Sequence, residues 1–266
     1  MAKIVLHHEQ FGEGPDLIIL HGLFGSGKNW RSFAKKLSKD FRISLVDLRN
    51  HGRSPDSEEM DYVVMLEDIL LFLEQKTAGS VSVLGHSMGG KTAMQLALRH
   101  PQKIQNLIVG DISPVVYTHG DGHRNYLQAL SNIPLTHGLT RTEIDKLLSK
   151  SIQESTIRSF LLTNLEIRAG QSSWKINLKA LEKNLNELLD FPIDPMMLPF
   201  DGNTLFIAGK NSNYIQTQHQ PILHRWFPNH RLVRLKNCGH WIHIQQPEAL
   251  LKTLKYFISW EGFISF

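Results

Sequence analysis

The chain lacks the features that would place a protein outside the cell or in a membrane. Its 266 residues include one cysteine, Cys238, so no intrachain disulfide is possible. No apolar stretch approaches the ~20 residues that a membrane-spanning helix needs. No positively charged segment followed by an apolar run opens the sequence, as a signal peptide would. These absences predict no membrane span and favour a reducing, cytoplasmic setting.

The features of a nucleic-acid-binding protein are also lacking. The formal net charge is only +4, and no basic patch interleaved with aromatic residues occurs. We therefore expect no nucleic-acid partner and at most a mild attraction for anionic substrates. With 41% hydrophobic and 20% charged residues, the composition is that of an ordinary globular protein.

Short apolar runs alternate with amphipathic segments in the first part of the chain. Strands are predicted at residues 17–20, 43–46, 81–84 and 107–109, and helices at residues 30–38, 62–75 and 91–99. This alternation is typical of an α/β fold, in which helices flank both faces of a mostly parallel central sheet.

The pattern changes between residues 115 and 199, where we predict helices and no strand. Thr140 and Glu143 form a capping box, and leucine and isoleucine stripes at helical spacing follow it. Strands then return at residues 204–208 and 231–235, before a last helix that begins near Pro247. We therefore expect an α/β core made of residues 1–114 and 200–266, with an inserted helical cap at residues 115–199.

The most informative motif is Gly85-His86-Ser87-Met88-Gly89. It reads Gly-x-Ser-x-Gly and lies between a predicted buried strand and a predicted helix. A serine on such a turn has a strained backbone, and its hydroxyl is exposed at the carboxyl end of the sheet. The motif thus predicts that Ser87 is a nucleophile.

A serine hydroxyl needs a base, which is usually a histidine. His240 follows the last predicted strand and comes directly after a glycine, which is where a parallel sheet would present a catalytic histidine. His243 is the alternative. His86, inside the serine motif, is interpreted as a packed, hydrogen-bonded supporting residue.

The acid that orients the histidine is predicted by elimination. The loop after strand 204–208 is its commonest place, yet no Asp or Glu occurs between Asp201 and Glu248. Asp111 lies just past the strand that follows the nucleophile helix, so we predict it as the acid. The alternative role for Asp111 is to cap the turn that leads to Pro114.

A hydrolytic site also needs donors for the negative oxygen of a tetrahedral intermediate. The backbone N–H of Met88 follows the nucleophile at a helix start, so it is one predicted donor. The second is the N–H of Leu23 in the glycine-rich loop after the first predicted strand, with that of Phe24 as the near alternative.

Five motifs together resemble the α/β-hydrolase superfamily, and most closely the bacterial YbfF-type esterases. They are His21-Gly-Leu-Phe-Gly-Ser26, Val46-Asp-Leu-Arg-Asn-His-Gly-Arg-Ser54, Gly85-His-Ser-Met-Gly-Gly90, Asp111-Ile-Ser-Pro114 and Gly239-His-Trp241. The resemblance covers essentially the whole predicted core and only loosely the cap. It implies hydrolysis of a small-molecule carboxylic ester, or of an acyl thioester such as an acyl-CoA, without a metal or cofactor. The family also places its acid at the position of Asp111.

The substrate pocket is expected between the sheet edge and the cap. Phe24 and Trp241 should lie near its floor, and His86 and Arg124 are further candidates for its lining. The motifs leave the acyl chain length, the leaving group and the oligomeric state open.

Three alternatives compete with this reading. Gly22 to Lys28 nearly reads as a phosphate-binding loop, with Asp47 ending an apolar strand as a magnesium ligand would, but Asn29 stands where that loop needs Ser or Thr. A lyase of the same fold would line its cap with arginines, for which Arg124 and Arg158 are the candidates. A binding protein on an inactive hydrolase fold would not need Ser87, Asp111 and His240 together.

Overall fold

A seven-stranded sheet forms the centre of the molecule in the computed structural model, which describes residues 3–118, 121–135, 138–194 and 196–259. The sheet order is β1-β3-β2-β4-β5-β8-β9. Only β1, which pairs with β3, is antiparallel. The strands are β1 (His8–Phe11), β2 (Asp16–Leu20), β3 (Arg42–Val46), β4 (Val81–His86), β5 (Ile104–Gly110), β6 (Leu165–Arg168), β7 (Gln171–Trp174), β8 (Asn203–Gly209) and β9 (His230–Leu235).

Helices cover both faces of the sheet. They are α1 (Arg31–Leu37), α2 (Tyr62–Lys76), α3 (Met88–Arg99), α4 (Asp121–Ser131), α5 (Arg141–Leu148), α6 (Ser155–Leu161), α7 (Leu178–Lys183), α8 (Leu185–Leu189), α9 (Gln220–Trp226), α10 (Ile242–Gln245) and α11 (Pro247–Ser259). Alternate residues of β2 serve the two faces: Leu17 and Ile19 pack with α1 and α11, whereas Ile18 and Leu20 pack with α2 and α3. The predicted mostly parallel α/β fold is confirmed.

All six predicted strands fall within strands of this sheet. Five of them are short runs that are buried on both faces, whereas the strand predicted at residues 231–235 lies in β9, whose residues are mostly partly buried or exposed. The edge strand β1 carried no such signal, since its residues are mostly half-buried and polar.

The expectation that residues 115–199 contain no strand is wrong. Alongside α4 to α8, this segment contains the antiparallel hairpin β6–β7. Each strand has four residues, and the two-residue turn between them is Ala169-Gly170, with both φ values positive. Alanine is not a residue that marks such a turn, and both strands are partly exposed, so the sequence signal was weak. The division into a core and a cap at residues 115–199 stays a prediction.

Hydrogen bonds join segment 115–190 to the part of the chain that follows β3. The Tyr62 hydroxyl of α2 donates to the Leu188 carbonyl (2.7 Å), and the Asn177 N–H donates to the Asn50 carbonyl (3.0 Å). The Leu188 and Asn177 backbone therefore lies against the start of α2 and the loop after β3. None of the helices in the described residues is long and apolar enough to cross a membrane.

Candidate active site

Ser87 lies on the sharp turn between β4 and α3, with φ 52° and ψ −120°. This conformation is costly for a residue with a side chain, by about 1–3 kcal/mol. The surrounding packing enforces it: a Cβ at Gly85 would lie 2.2 Å from the Gly89 carbonyl oxygen, and one at Gly89 would lie 2.4 Å from that of Leu20. Only glycine fits at these two positions, so strand and helix meet closely enough to push the Ser87 hydroxyl outwards.

The loop after β9 brings His240 to this hydroxyl. His240 Nε2 lies 3.0 Å from Ser87 Oγ, and His240 Nδ1 lies 2.8 Å from Asp111 Oδ2. The ring of Tyr214 stacks on the imidazole with a centroid separation of 4.0 Å, which fixes the plane of the ring. The structure thus brings the predicted serine, histidine and acid into one hydrogen-bonded row.

Asp111 follows the last residue of β5 and is fully buried. The Gly209 N–H donates to its Oδ1 (3.0 Å), and the Ser212 hydroxyl donates to its Oδ2. An ionised carboxylate only accepts, so His240 donates from Nδ1 and leaves Nε2 free to accept the Ser87 proton. Gly209, the last residue of β8, and Ser212 belong to the stretch that lacks a carboxylate. No sequence pattern indicates that they instead hydrogen-bond to the carboxylate of Asp111.

The loop after β2 forms a tight turn beside Ser87. The Gly25 N–H donates to the Gly22 carbonyl (2.9 Å), and Phe24 within the turn has a φ of 61°. A Cβ at Gly22 would lie 3.1 Å from that of Ser87, so the turn of residues 22–25 packs directly on the serine. Leu23 of this turn and Met88, the first residue of α3, both line a cavity that contains Ser87. The first N–H groups of a helix have no partner within it, so that of Met88 can serve a ligand.

Two cavities meet at Ser87. The smaller has a volume of about 30 Å³ and is lined mainly by rings, among them the predicted residues Phe24, His86 and Trp241. The larger, of about 460 Å³, runs between α3 and α8 and includes Tyr62, Lys91, Tyr117 and Leu188. This volume is in the range of pockets that bind small molecules.

Arg124 lines neither cavity, in contrast to its prediction as a pocket residue. It is exposed on α4, where its guanidinium donates to Asn186 (3.2 Å). Arg158, the other candidate for a lyase, pairs with Asp145 (2.9 Å) and also lines neither cavity. Both arginines lie on helices whose orientation the sequence alone did not fix. Among the described residues no arginine lines either cavity, so the arginine lining on which the lyase alternative depends is not found there.

The other imidazoles near Ser87 have structural contacts. His86 Nε2 donates to the His240 carbonyl (2.8 Å), and burial holds the pKa of His86 well below its usual value. His243, the alternative base, stacks on Trp30 at 4.3 Å, and burial lowers its pKa to about 3. It is His240, not His243, that contacts Ser87.

Lys91 is a buried lysine that no sequence pattern indicated. Its Nζ donates to the carbonyls of Val115, Leu189 and Asp190 at 2.7–2.9 Å, and burial lowers its pKa to about 7. One side chain of α3 thereby holds both ends of segment 115–190 beside the larger cavity. Nothing in the local pattern of α3 distinguished this lysine from a solvated one.

Asp47, the magnesium ligand of the nucleotide-binding alternative, makes structural hydrogen bonds instead. The two carboxylate oxygens of Asp47 accept from the N–H groups of Gly27 (2.7 Å) and Arg53 (2.9 Å), so this side chain connects two loops.

Cys238 is buried, which raises its thiol pKa to about 11 and fits a packing role. Among the described residues, no group of three or more His, Cys, Asp or Glu side chains could hold a metal ion.

Residues 15–247 match the sequence model of the alpha/beta hydrolase fold family. The chain is similar to the sn-1-specific diacylglycerol lipase ABHD11 of Mus musculus, with 38% identity over 92% of this chain and 81% of that protein. It is similar to the esterase YbfF of Escherichia coli, with 30% identity over 91% of this chain and 92% of that protein. Among solved structures, a marine microorganism esterase superposes with a TM-score of 0.93 and 39% identity, covering 96% of this chain and 100% of the other.

Proposed function

Because the chain belongs to the α/β-hydrolase family and its relatives include esterases and a lipase, we propose that it cleaves carboxylic esters of small molecules through an acyl-enzyme formed on Ser87. Acyl thioesters would be cleaved by the same chemistry. The observation that carries the proposal is the row of two hydrogen bonds, of 3.0 and 2.8 Å, that links the strained Ser87 through His240 to Asp111.

In the first half-reaction, Ser87 Oγ attacks the acyl carbon while His240 Nε2 takes its proton. The carbonyl electron pair moves onto oxygen, and the N–H groups of Leu23 and Met88 stabilise that charge. The tetrahedral intermediate then expels the alcohol or thiol, which receives the proton from His240.

In the second half-reaction, His240 removes a proton from water, and the resulting nucleophile attacks the acyl-enzyme. Collapse of the second intermediate breaks the bond between Ser87 Oγ and the acyl carbon, and the proton returns to Ser87. Asp111 does not exchange a proton in either half. It holds the tautomer of His240 and stabilises the imidazolium.

Segment 115–199 acts in this proposal as a cap on a core of residues 1–114 and 200–266. Its support is the larger cavity, which is bounded by Leu188 and Leu189 of segment 115–199 on one side and by Ser87 and Met88 on the other. The low cysteine content supports a reducing compartment, and we place the reaction in the cytoplasm.

The test is hydrolysis of a series of p-nitrophenyl esters and acyl-CoA thioesters by the wild-type protein and by Ser87→Ala. We expect turnover by the wild type that falls by about 10⁴-fold or more in the variant. Equal turnover by both proteins, or no turnover of any member of the series by the wild type, would contradict the proposal.

A further inference from the structure

The turn of residues 22–25 is held from the core by His21. Burial lowers the pKa of His21 to about 4, so its ring is neutral. The ring accepts at Nε2 from the Leu48 N–H (3.0 Å) and therefore donates from Nδ1 to the Gly22 carbonyl (2.8 Å). The Gly22 carbonyl has a second donor, the Gly25 N–H across the turn.

The same turn is held from the opposite side by Asn164. This residue lies between α6 and β6, and its side chain is only 2% exposed. Its Nδ2 donates to the Phe24 carbonyl (2.8 Å) and to the Leu161 carbonyl (3.1 Å). The backbone carbonyl of Asn164 accepts from the Lys175 N–H (2.9 Å), which ties this residue to the end of β7. A single amide therefore joins the helix-and-hairpin segment to the turn beside Ser87.

Because peptide groups are planar, the hydrogen bond from Asn164 also affects the direction of the Leu23 N–H. The C=O and N–H of a trans peptide point in opposite directions. The Asn164 bond fixes the carbonyl of the peptide between Phe24 and Gly25, and so fixes the direction of the Gly25 N–H. That N–H holds the Gly22 carbonyl, whose peptide carries the Leu23 N–H on its other side.

The strained backbone of Phe24 explains why the turn needs a hydrogen bond from outside. Its φ of 61° lies in the left-handed region, which is strained for a residue with a Cβ. Without an outside partner for its carbonyl, the turn can relax towards a less strained conformation, and the Leu23 N–H would then rotate. If His21 alone held the turn, the direction of the Leu23 N–H would be less well defined.

We propose that Asn164 is a positioning residue of the hydrolytic reaction: its amide holds the 22–25 turn so that the Leu23 N–H points at the negative oxygen of the tetrahedral intermediate. The proposal rests on the proposed function, since it assigns that N–H to the intermediate. It also makes catalysis depend on the docking of segment 115–199 on the core. Displacement of a catalytic group by about 1 Å can cost on the order of 100-fold in rate.

Asn184 is a matched control within the same segment. Its Nδ2 also donates to a core carbonyl, that of Glu58 (2.8 Å), and to a helical carbonyl, that of Ala180 (2.8 Å). It lines neither of the two cavities that meet at Ser87. Asn184→Ala therefore removes the same kind of bridge between the segment and the core, away from the turn.

The experiment compares Asn164→Ala and Asn184→Ala in the ester assay and in the binding of two ketones. An alkyl trifluoromethyl ketone accepts Ser87 Oγ at its carbonyl carbon, and the carbonyl oxygen becomes an oxyanion while the proton passes to His240. The corresponding methyl ketone binds without that step and reports ground-state affinity. Thermal unfolding checks that each variant is folded.

For Asn164→Ala we expect kcat and the affinity for the trifluoromethyl ketone to fall together, by about tenfold or more. KM and the methyl ketone affinity should stay within about threefold of wild type, and Asn184→Ala should leave all four quantities within that margin. If Asn164→Ala does not fold, Asn164→Ser serves instead, since its hydroxyl is too short to reach the Phe24 carbonyl from the same backbone.

A folded Asn164 variant with wild-type kcat and trifluoromethyl ketone affinity would overturn the inference. So would an equal loss in Asn184→Ala, or a loss confined to KM, because either would indicate general loosening of the segment. These outcomes are distinct from failure of the proposed function, in which Ser87→Ala itself would retain hydrolysis.

Discussion

Phe24, Ser87 and Asp111 have positive φ values, 61°, 52° and 48°, although none of them is glycine. Each follows a central strand at its carboxyl end, and each has a backbone group or side chain beside the proposed reaction centre. Strained residues persist only where surrounding contacts fix them. Here those contacts are the hydrogen bonds from Gly209, Ser212 and His240 to Asp111, the two glycines around Ser87 and the amide that holds the Phe24 carbonyl.

The role of Asp111 gives a prediction at the scale of one residue. Asparagine tolerates the left-handed backbone conformation, so Asp111→Asn should fold. Its amide can present an N–H to His240 and favour the wrong tautomer, and we expect kcat for a p-nitrophenyl ester to fall by about 10³- to 10⁴-fold. Steady-state kinetics together with thermal unfolding check this.

Ser212→Ala is the control for that variant. It removes one of the other donors to Asp111 and leaves the carboxylate in place, so a much smaller loss of kcat is expected. Near-normal turnover in a folded Asp111→Asn protein would remove Asp111 from the mechanism.

The three residues predicted as serine, histidine and acid, which the structure brings together in one hydrogen-bonded row, could be proposed from the sequence because each follows a predicted strand. Ser87 and His240 each had a glycine motif, and Asp111 was isolated by the absence of carboxylates between positions 201 and 248. Asn164, Lys91 and Ser212 were not accessible. Each hydrogen-bonds to a partner at least 24 residues away through packing that no local pattern encodes.

At the scale of elements, the contact between β4 and α3 determines where Ser87 lies. Gly85 and Gly89 allow the strand and the helix to approach each other and β2. In Gly89→Ala, the new Cβ would meet the Leu20 and His21 carbonyl oxygens at 2.4 and 2.5 Å. We expect a loss of unfolding free energy of about 1–3 kcal/mol and loss of most activity, measured by urea unfolding and by ester turnover.

Gly79→Ala is the matched control for this element, because a Cβ at Gly79 has nothing within 4 Å. Its unfolding free energy and turnover should be those of the wild type. If Gly89→Ala behaved in the same way, the close packing around Ser87 would not be what positions it.

The buried strands of the sheet could be predicted from the sequence, but the hairpin β6–β7 could not. Buried strands of the sheet were found because apolar runs bounded by glycine and polar residues are distinctive. The hairpin β6–β7 was missed because its short, partly exposed strands mix polar and apolar residues. It matters for the site, since the Asn164 carbonyl is tied to the end of β7.

At the scale of the whole molecule, neutral buried imidazoles link stability to pH. Burial lowers the pKa of His21 to about 4 and those of His51 and His243 to about 3, and it also lowers that of His86. Their ordinary value is 6.5, so below that pH the unfolded chain binds more protons than the folded one. Stability should therefore fall as the pH is lowered from 6.5 towards 4.

Urea unfolding at about pH 7.5 and about pH 5 measures this effect, to which each such histidine can contribute on the order of 1–2 kcal/mol. In His243→Phe the unfolding free energy should differ less between the two pH values, since one titrating group has been removed. An unfolding free energy that is the same at both pH values would show that these histidines are not held neutral by the fold.

The proposed mechanism requires that Ser87 carries the acyl group between the two half-reactions. The most direct measurement is rapid mixing of the protein with a p-nitrophenyl ester, followed by acid quenching and mass spectrometry of the peptides. We expect a transient mass increase equal to the acyl group, located on the peptide that contains Ser87 and absent in Ser87→Ala. Hydrolysis that proceeds with no adduct on that peptide, or an adduct that persists in Ser87→Ala, would contradict it.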